Sequence, residues 1–319
     1  AWGLTNAAFD AEDVFIERLN PDDPDQYEVN GEWVDMEIRR EVIEVRGQAE
    51  PEVILVRRTR NGVIATDHMV TRNLTRVAED GPELYALSYA WTALEPVQSE
   101  RAVLNVLRAQ NWDEFVDALQ YFDAGKQNWL YADVDGNIGY VLPGKIPLRA
   151  GGDGTLPVPG WNDDYLWTGF IPYAEMPRTF NPAQGFIATS NNPQVRAEDY
   201  PYNLGLTQDY GQRAARITGR INADQNGISL ADMIAFQTDN GSLSALEIIP
   251  YLGELDLDDP GAAAARNRLL NWDAQMTYDS PEANLFNLFW VHLLAETFHD
   301  QLPDNRRPDG GHETSDTIY

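Results

Sequence analysis

The sequence predicts an α+β fold in which a β-rich part comes first and helices follow from about residue 210. Short runs of β-branched and aromatic residues, such as 32–45 and 83–94, alternate with polar residues early in the chain. After residue 210 the apolar residues recur every three or four positions, which is typical of amphipathic helices. Because strands precede helices instead of alternating with them, the pattern favours α+β. We expect a β-rich core over residues 1–216 and a helical region over 217–319.

Turn residues divide the first part into hairpins and single strands. Residues 52–67 contain two β-branched runs around an Arg-Asn-Gly turn at 60–62, which is a strong hairpin signal. Residues 128–144 predict a second hairpin that turns over the Asp-Gly-Asn sequence at 135–137. Residues 185–192 predict a strand that runs into a polar turn.

Seven segments carry helical periodicity, and several begin with a capping residue. The predicted helices are 99–110, 112–122, 210–222, 229–238, 243–254, 260–275 and 281–301. Ser99 and Asn111 are predicted N-caps, and Ser229 opens a Ser-x-x-Asp capping sequence.

The composition excludes several classes of protein and of site. The 319 residues include 51 acidic and 23 basic side chains, and the formal net charge of −28 repels nucleic acid and anionic membranes. The sequence has no cysteine, which rules out disulfides, zinc–thiolate centres and cysteine nucleophiles. The longest apolar run, 284–298, is interrupted by Asn287, His292 and Glu296, so we expect no membrane insertion. The acidity suits a solvated surface, a saline habitat or cation binding.

The segment DVDGN at 133–137 resembles the start of an EF-hand loop but lacks the rest of it. That loop needs glycine at its sixth position and glutamate at its twelfth, where this chain has Ile138 and Gly144. A hairpin turn is therefore the better interpretation. The sequence also contains neither a Gly-x-Ser-x-Gly elbow nor a glycine-rich phosphate loop.

Two polar clusters have residues suited to chemistry, although each also has a plain structural explanation. Asn191 and Asn192 follow an apolar segment, where a side-chain amide can stabilise an oxyanion, but asparagine also favours turns. Asp10, Glu12 and Asp13 crowd three carboxylates together as hard cations require, but an acidic loop in an acidic protein gives the same pattern. The residues alone leave both alternatives open.

Six segments of the chain form an ordered series of motifs. They are WGLTN with DVFIERL behind it, YAWTAL, NWLYADVDGNIGYVLPGKIPLR, GTLPVPGW with YLWTGFIPYAEMP, NPAQGFIATSNNPQ and DYGQRAARI. Together they resemble the penicillin acylase family of N-terminal nucleophile hydrolases, from Trp2 to about Ile217 and more loosely through the helices. The resemblance implies part of the four-layer α/β/β/α sandwich of that superfamily, with the helical region packed at its side.

The resemblance also implies an amide hydrolase that is made as one precursor and cuts itself into a small and a large chain. The large chain then begins with a serine nucleophile, and its α-amino group is a suitable base because its pKa lies near neutrality. Since WGLTN is expected well inside the large chain, we expect the serine, the small α chain and the C-terminal end to lie outside this sequence. The family is typically periplasmic or extracellular.

Several residues match the site of the family. Asn191 matches its side-chain oxyanion donor, and Asn6 matches a backbone N–H that completes the oxyanion hole. Arg216 matches an arginine that helps hold the site together, with Arg213 as the alternative. A guanidinium can do this because its fixed fork of donors orients a carbonyl or carboxylate.

The resemblance assigns walls of the acyl pocket to Leu4, Trp91 and Gln127. Gln127 is polar where penicillin G type enzymes are apolar, which argues against assuming a phenylacetyl substrate. An aliphatic acyl amide, such as an acyl-homoserine lactone, or another acylated amine fits the sequence as well.

A structural Ca²⁺ is the cofactor that the resemblance implies. Its expected ligands are Asp10, the carbonyl of Glu12, Asp13, and either Asn203 or Asp199. The alternative function is a non-catalytic, calcium-binding acidic module that holds a partner. The net charge and the lack of a nucleophile in this sequence favour that alternative.

Overall fold

The computed structural model describes residues 1–67, 84–205, 208–209, 211–223, 227–303 and 307–308. The chain divides into two compact units, Ala1–Gln208 and Asp209–Tyr319. Strands dominate the described part of the first unit and helices that of the second, which confirms the predicted α+β class. Residues 83 and 210, the predicted first residues of a strand and a helix, lie outside the described residues.

The first unit is built from antiparallel sheets. Its described strands are β1 (Trp2–Asn6), β2 (Glu12–Asn20), β3 (Asp23–Val29), β4 (Glu32–Asp35), β5 (Glu37–Ile43), β6 (Glu52–Arg58), β7 (Val63–Ile64), β8 (Leu84–Trp91), β9 (Gln127–Ala132), β10 (Ile138–Val141), β11 (Pro147–Arg149), β12 (Val158–Pro159), β13 (Trp167–Phe170) and β14 (Arg178–Phe180). One sheet has the order β1-β9-β10-β14, a larger one runs β4-β3-β2-β8-β7-β6-β5, and β11 pairs with β13. The short β12 adds to β2 as a parallel neighbour.

Two helices, α1 (Ser99–Val106) and α2 (Trp112–Leu119), cover one face of the β1-β9-β10-β14 sheet. Trp129 and Tyr131 of β9 are buried in one cluster with Phe115 and Leu119 of α2. The rings of Phe115 and Tyr131 lie 5.2 Å apart between centroids. Alternate residues of β9 thus meet the helices, as the period of two in a strand requires.

The opposite face of this sheet packs on a second apolar cluster. Tyr140 of β10 is buried there with Leu142, Phe9, Ile146 and Met176. Helices on one face and β-rich segments on the other are the layered arrangement expected of an α+β fold.

The larger sheet contains a buried carboxylate on β2. Glu17 is fully buried, and its Oε1 accepts hydrogen bonds from Thr59 Oγ1 (2.8 Å), Asn61 Nδ2 (3.0 Å) and Ser88 Oγ (2.6 Å). These bonds hold the turn between β6 and β7, so the hairpin turn predicted at 60–62 is confirmed. These bonds satisfy Oε1 of the buried carboxyl, whereas Oε2 is buried without a hydrogen-bond partner among the described residues.

The predicted strand at 185–192 is wrong. In the structure this segment runs without ladder pairing, and Gly185 (φ +76°) and Asn191 (φ +66°) both leave the extended region. Side chains anchor it instead, since Thr5 Oγ1 donates to Thr189 Oγ1 at 2.8 Å. The apolar run was compatible with a strand, but positive φ at two positions is not.

The predicted helix caps are confirmed except for one. The Asn111 side chain accepts a backbone N–H of α2 at 2.9 Å, and Ser229 forms a complete capping box with Asp232. Ser99 is instead the first residue of α1, and its hydroxyl donates to the carbonyl of Ala124 at 2.9 Å. The serine therefore ties the helix to the loop before β9 and does not cap it.

The described part of the second unit is helical. Its helices are α3 (Gln212–Ala223), α4 (Leu230–Gln237), α5 (Leu243–Leu252), α6 (Pro260–Leu270) and α7 (Pro281–Phe298). Its core is formed by Ala245, Ile249, Leu269 and Phe286, among others. Among the helices within the described ranges, none combines the length and apolar character that a membrane span needs.

Gly139 on β10 is where the sheet meets the aromatic ring of Trp112. A Cβ at Gly139 would lie 2.1 Å from Cζ3 of Trp112, and that ring is itself stacked on Phe180 with centroids 4.9 Å apart. We expect Gly139→Ala to lower the free energy of unfolding by about 1–3 kcal/mol, because the ring has to move out of a packed layer. Urea denaturation of the full-length protein measures this.

Gly3 on β1 of the same sheet provides a matched control. A Cβ at Gly3 meets no atom within 4 Å, so we expect Gly3→Ala to leave stability unchanged or slightly higher. Equal losses for the two variants would contradict the packing argument.

Candidate functional site

Asn6 ends β1, which is an edge strand of the β1-β9-β10-β14 sheet. Ala1 and Ala132 exchange both backbone hydrogen bonds (2.6 and 2.9 Å), and Ala7 N–H donates to the carbonyl of Lys126 at 2.8 Å. Hydrogen-bonded pairs alternate along an antiparallel ladder, so the pair formed by Asn6 and Gln127 is a non-hydrogen-bonded one. The N–H and C=O of Asn6 consequently point away from β9, towards the outer edge of β1.

The side chain of Asn191 meets Asn6 at that edge. Its Nδ2 donates to the carbonyl oxygen of Asn6 at 2.8 Å. The N–H and C=O of one extended residue point to the same side of the strand, so the Asn191 amide lies beside the Asn6 N–H. The structure therefore brings together the two residues that the sequence predicted as oxyanion donors.

The neighbouring Asn192 has a different task. Its Oδ1 accepts the backbone N–H of Ser190 at 3.0 Å, which closes the turn that presents Asn191. Asn191 itself has φ +66°, a conformation that asparagine adopts more readily than most residues. The hydrogen bonds thus differ between the two asparagines: Asn191 contacts Asn6, and Asn192 holds the turn.

A buried polar network, which sequence reasoning missed, lies under Asn6. Asn128 is 1% exposed, and its Nδ2 donates to Thr5 Oγ1 (3.0 Å) and to the carbonyl of Asn6 (3.1 Å). The hydroxyl of Tyr140 donates to Asn128 Oδ1 at 2.8 Å. Burial raises the pKa of Tyr140, which keeps this hydroxyl protonated. The sequence could have indicated this network, because Asn128 is a single asparagine at a core-facing position of a predicted strand.

Two of the predicted pocket residues, Leu4 and Gln127, lie close to the same strand end. Gln127 Nε2 donates to Asn6 Oδ1 at 2.9 Å, and Leu4 lies on the same face of β1, exposed. Trp91 ends β8 opposite Glu12, and the Glu12 carboxylate pairs with Lys126, next to Gln127, at 2.5 Å. The pair of Glu12 and Lys126 thus links the start of β2, which pairs with β8, to the residue before β9.

The predicted cation ligands Asp10 and Asp13 share one arginine. Arg149, which sequence reasoning also missed, reaches Asp10 Oδ2 with Nη2 and Asp13 Oδ2 with Nε, both at 2.8 Å. The side chains of Arg149 and Asp13 are only 6% and 5% exposed, and Trp167 Nε1 also donates to Asp13. Burial raises the pKa of Asp10, although Arg149 acts in the opposite direction.

The Glu12 carboxylate binds Lys126 and Tyr89, and the Glu12 backbone carbonyl faces away from β8. Burial acts to raise the pKa of Glu12, but the hydrogen bonds from Lys126 and Tyr89 outweigh it and lower the pKa. Because Thr92 N–H donates to the Ala11 carbonyl at 3.2 Å, the next carbonyl along β2, that of Glu12, points away from β8.

Backbone closes around Asp10 from two sides. A Cβ at Gly154 would lie 2.1 Å from Asp10 Oδ2, and one at Gly205 would lie 2.7 Å from Asp10 Cβ. Asn203 Oδ1 accepts the N–H of Gly205 at 2.8 Å, and the alternative ligand Asp199 pairs with Arg196 at 3.6 Å. Across the ranges that the structure describes, no group of three or more His, Cys, Asp or Glu side chains is arranged to hold a metal. The carboxylates of Asp10 and Asp13 offer the oxygen ligands that Ca²⁺ prefers, and each of them also binds the Arg149 guanidinium.

The two predicted arginines lie in the second unit. Arg216 binds Asp239 in a bidentate manner, with Nε to Oδ2 at 2.7 Å and Nη2 to Oδ1 at 3.1 Å, and Arg220 adds a contact at 2.9 Å. Arg213 pairs with Asp209 at 2.8 Å. The bonds to Asp239 tie α3 to the segment between α4 and α5.

Asp239 gives this unit a predictable dependence on pH. Its hydrogen bonds with Arg216 hold the pKa of Asp239 far below 3.8. A carboxyl whose pKa is lower in the folded than in the unfolded protein adds to the free energy of unfolding when the pH is above the unfolded pKa. That contribution is lost as the pH falls below about 4, towards the pKa of Asp239 in the folded protein. We expect Asp239→Asn to lower the free energy of unfolding at pH 7 by about 1.5–3 kcal/mol.

Urea denaturation between pH 7 and pH 2 measures the effect of Asp239→Asn. The difference from the unaltered protein should narrow as the pH falls below about 4. The exposed Asp258, changed to Asn, serves as the control and should show little difference at any pH. A difference in the free energy of unfolding that stays constant from pH 7 to pH 2 would contradict a depressed pKa of Asp239.

Comparison with known proteins identifies the family of this chain. A family model described as penicillin amidase matches residues 1–317. The chain belongs to the penicillin amidase family. It is 34% identical over 345 residues to penicillin G acylase of Escherichia coli, covering 99% of this chain and 37% of that protein. It is 28% identical over 328 residues to the acyl-homoserine lactone acylase QuiP of Pseudomonas fluorescens, covering 97% and 38%.

Solved structures give the same result for the fold. The thermostable penicillin G acylase of Alcaligenes faecalis superimposes with a TM-score of 0.78 at 28% identity, covering 96% of this chain and 55% of that one. The chain thus has the N-terminal nucleophile hydrolase fold that the resemblance of its motifs predicted. It spans 37–38% of the length of the curated relatives named above.

Proposed function

We propose that the protein containing this chain hydrolyses the amide bond of an acylated amine, through an acyl-enzyme. One observation carries the proposal: the Asn191 side-chain amide is held at 2.8 Å on the carbonyl of Asn6, beside the Asn6 N–H. Two neutral donors fixed side by side at a strand edge are suited to stabilise the oxyanion of a tetrahedral intermediate.

The Asn191 amide can bind Asn6 and an oxyanion at the same time. Its –NH₂ group has two N–H bonds, and the one to the Asn6 carbonyl sets the orientation of the other. The second N–H and the backbone N–H of Asn6 would then donate to the negative oxygen. Because both donors are placed before substrate arrives, little reorganisation is needed in the transition state.

The nucleophile in this proposal is an N-terminal serine in a part of the protein outside this chain. Its free α-amino group would take the hydroxyl proton, since the pKa of an α-amine lies near neutrality. The serine oxygen adds to the amide carbon, the amine leaves with a proton, and water then releases the acid. The partner would be a small chain of the same precursor, and the location periplasmic or extracellular.

The proposed substrates are acyl amides, of either an aliphatic or a phenylacetyl acyl group. Gln127 donates to Asn6 Oδ1 and so places polar atoms next to Leu4 on the face of β1. Relatives are named both penicillin G acylase and acyl-homoserine lactone acylase, so both acyl classes are candidates for this protein. Apolar pockets discriminate weakly between chain lengths, and a panel of substrates is needed.

The test is hydrolysis of phenylacetyl and aliphatic acyl amides by the full-length protein. We expect two bands on a denaturing gel and release of free amine. A single uncleaved band without hydrolysis would overturn the proposal and favour the calcium-binding module.

We also propose a structural Ca²⁺ beside Arg149. Asp10, Asp13, the Glu12 carbonyl and Asn203 would hold it, and its role would be to fix the loops that close on Asp10. We expect chelation to lower the melting temperature of the unaltered protein and to have little effect on an Asp13→Asn variant. Equal responses to chelation in the two proteins would contradict the site.

A further inference from the structure

We infer that Asn128 is a positioning residue that sets the geometry of the oxyanion hole through the Asn6 peptide. The inference rests on the proposed function and adds a residue that touches neither substrate nor nucleophile. It starts from the contacts of a side chain that is 1% exposed and lies in the centre of a polar network.

The Asn6 carbonyl is the shared acceptor of two asparagines. Asn191 Nδ2 lies 2.8 Å from it and Asn128 Nδ2 lies 3.1 Å from it. A carbonyl oxygen has two lone pairs, so both bonds can form together. Each of them restricts the direction of the carbonyl, and that direction decides where the Asn191 amide is held.

Tyr140 fixes which way the Asn128 amide faces. The tyrosine hydroxyl donates to Oδ1 at 2.8 Å, which leaves Nδ2 on the side of β1. The carbonyl of Asn6 can only accept, so the amide group facing it must be Nδ2. The hydrogen-bond partners thereby determine which atom of the Asn128 amide is Oδ1 and which is Nδ2.

Thr5 extends the same network to the loop that carries Asn191. Asn128 Nδ2 donates to Thr5 Oγ1 at 3.0 Å, and Thr5 Oγ1 donates to Thr189 Oγ1 at 2.8 Å. The buried asparagine thus holds both sides of the hole: the end of β1 directly, and the Asn191 loop through two hydroxyls. A displacement of this loop by about 1 Å can reduce catalysis on the order of 10²-fold.

The experiment compares full-length variants on an acyl amide substrate. We expect Asn128→Leu to lower kcat on the order of 10- to 10²-fold with KM nearly unchanged, because the pocket itself is not altered. Tyr140→Phe keeps the ring and removes only the hydroxyl, so it should lower kcat in the same direction but less. Ser88→Ala is the control: it removes a buried hydrogen bond to Glu17 and should affect stability without changing kcat.

A double mutant separates positioning from general damage. In an Asn191→Ala background, Asn128→Leu should lower kcat by less than it does in the unaltered protein, because the part of its effect that passes through the Asn6 carbonyl to Asn191 is already lost. Losses that multiply, or an unchanged kcat in a folded Asn128→Leu protein, would overturn the inference.

A crystal structure of the Asn128→Leu protein tests the positioning role of Asn128 even if the proposed function is wrong. We expect the Asn191 amide to leave the Asn6 carbonyl, or the carbonyl to turn, relative to the unaltered protein. An unchanged bond between Asn191 and Asn6 would overturn the positioning role. An unaltered protein without amide hydrolysis would overturn only the proposed function.

Discussion

Replacement of Asn191 by alanine is expected to lower kcat for an acyl amide by about 10²–10³-fold in the full-length protein. Alanine removes one of two donors to the oxyanion while Asn6 N–H remains. KM should change little, because the missing bond forms fully only in the transition state. Steady-state kinetics on a chromogenic acyl amide measure both constants.

The positive φ of Asn191 requires controls that separate lost hydrogen bonding from backbone strain. Asn191→Gly adopts φ +66° without strain and still lacks the donor, so we expect the same loss of kcat. Asn30 has φ +51° in a turn where its Nδ2 reaches Asp163 at 3.2 Å. Asn30→Ala introduces comparable strain but should leave kcat unchanged. Normal activity in Asn191→Gly would show that strain, not the amide, is responsible.

Replacement of Arg149 by methionine is expected to lower the free energy of unfolding by about 3–5 kcal/mol. The guanidinium joins Asp10 and Asp13 through two bonds of 2.8 Å, and its side chain is 6% exposed. Methionine fills a similar volume but leaves two neighbouring carboxylates without their cation. Urea denaturation in calcium-free buffer measures the change directly.

Arg39 provides a matched control for that measurement. It pairs with Glu41 at 2.6 Å, but the two side chains are 68% and 45% exposed. Exposed pairs contribute little, so Arg39→Met should change stability by about 0–1 kcal/mol. A second variant with Asp13→Asn added to Arg149→Met should recover part of the loss. Similar small losses for the two arginines would contradict the account of the buried cluster.

The sequence predicted those parts of the site that lie within single motifs. The family resemblance of WGLTN and of the paired asparagines after GFIATS predicted Asn6 and Asn191, and the structure places the two residues at hydrogen-bonding distance. Strand alternation and cap residues likewise predicted most elements, because they depend on neighbours in the chain.

Residues that act across long sequence separations escaped prediction. Asn128 reaches Thr5 and Asn6 only because β9 pairs with β1, and nothing in their local sequence reports that register. Arg149 meets Asp13 and Asp10 across separations of 136 and 139 residues, which local sequence does not report either. The apolar residues of 185–192 predicted a strand, but the segment is a loop held by side-chain hydrogen bonds such as that between Thr5 and Thr189. Local sequence does not report that bond.

The most direct measurement of the central claim is a crystal structure of the full-length protein with an alkylboronic acid bound to its nucleophile. A boronate oxygen mimics the oxyanion of the tetrahedral intermediate. We predict that this oxygen lies about 2.7–3.1 Å from both Asn6 N and Asn191 Nδ2. A boronate oxygen held by other groups, with Asn6 and Asn191 out of contact, would contradict the claim.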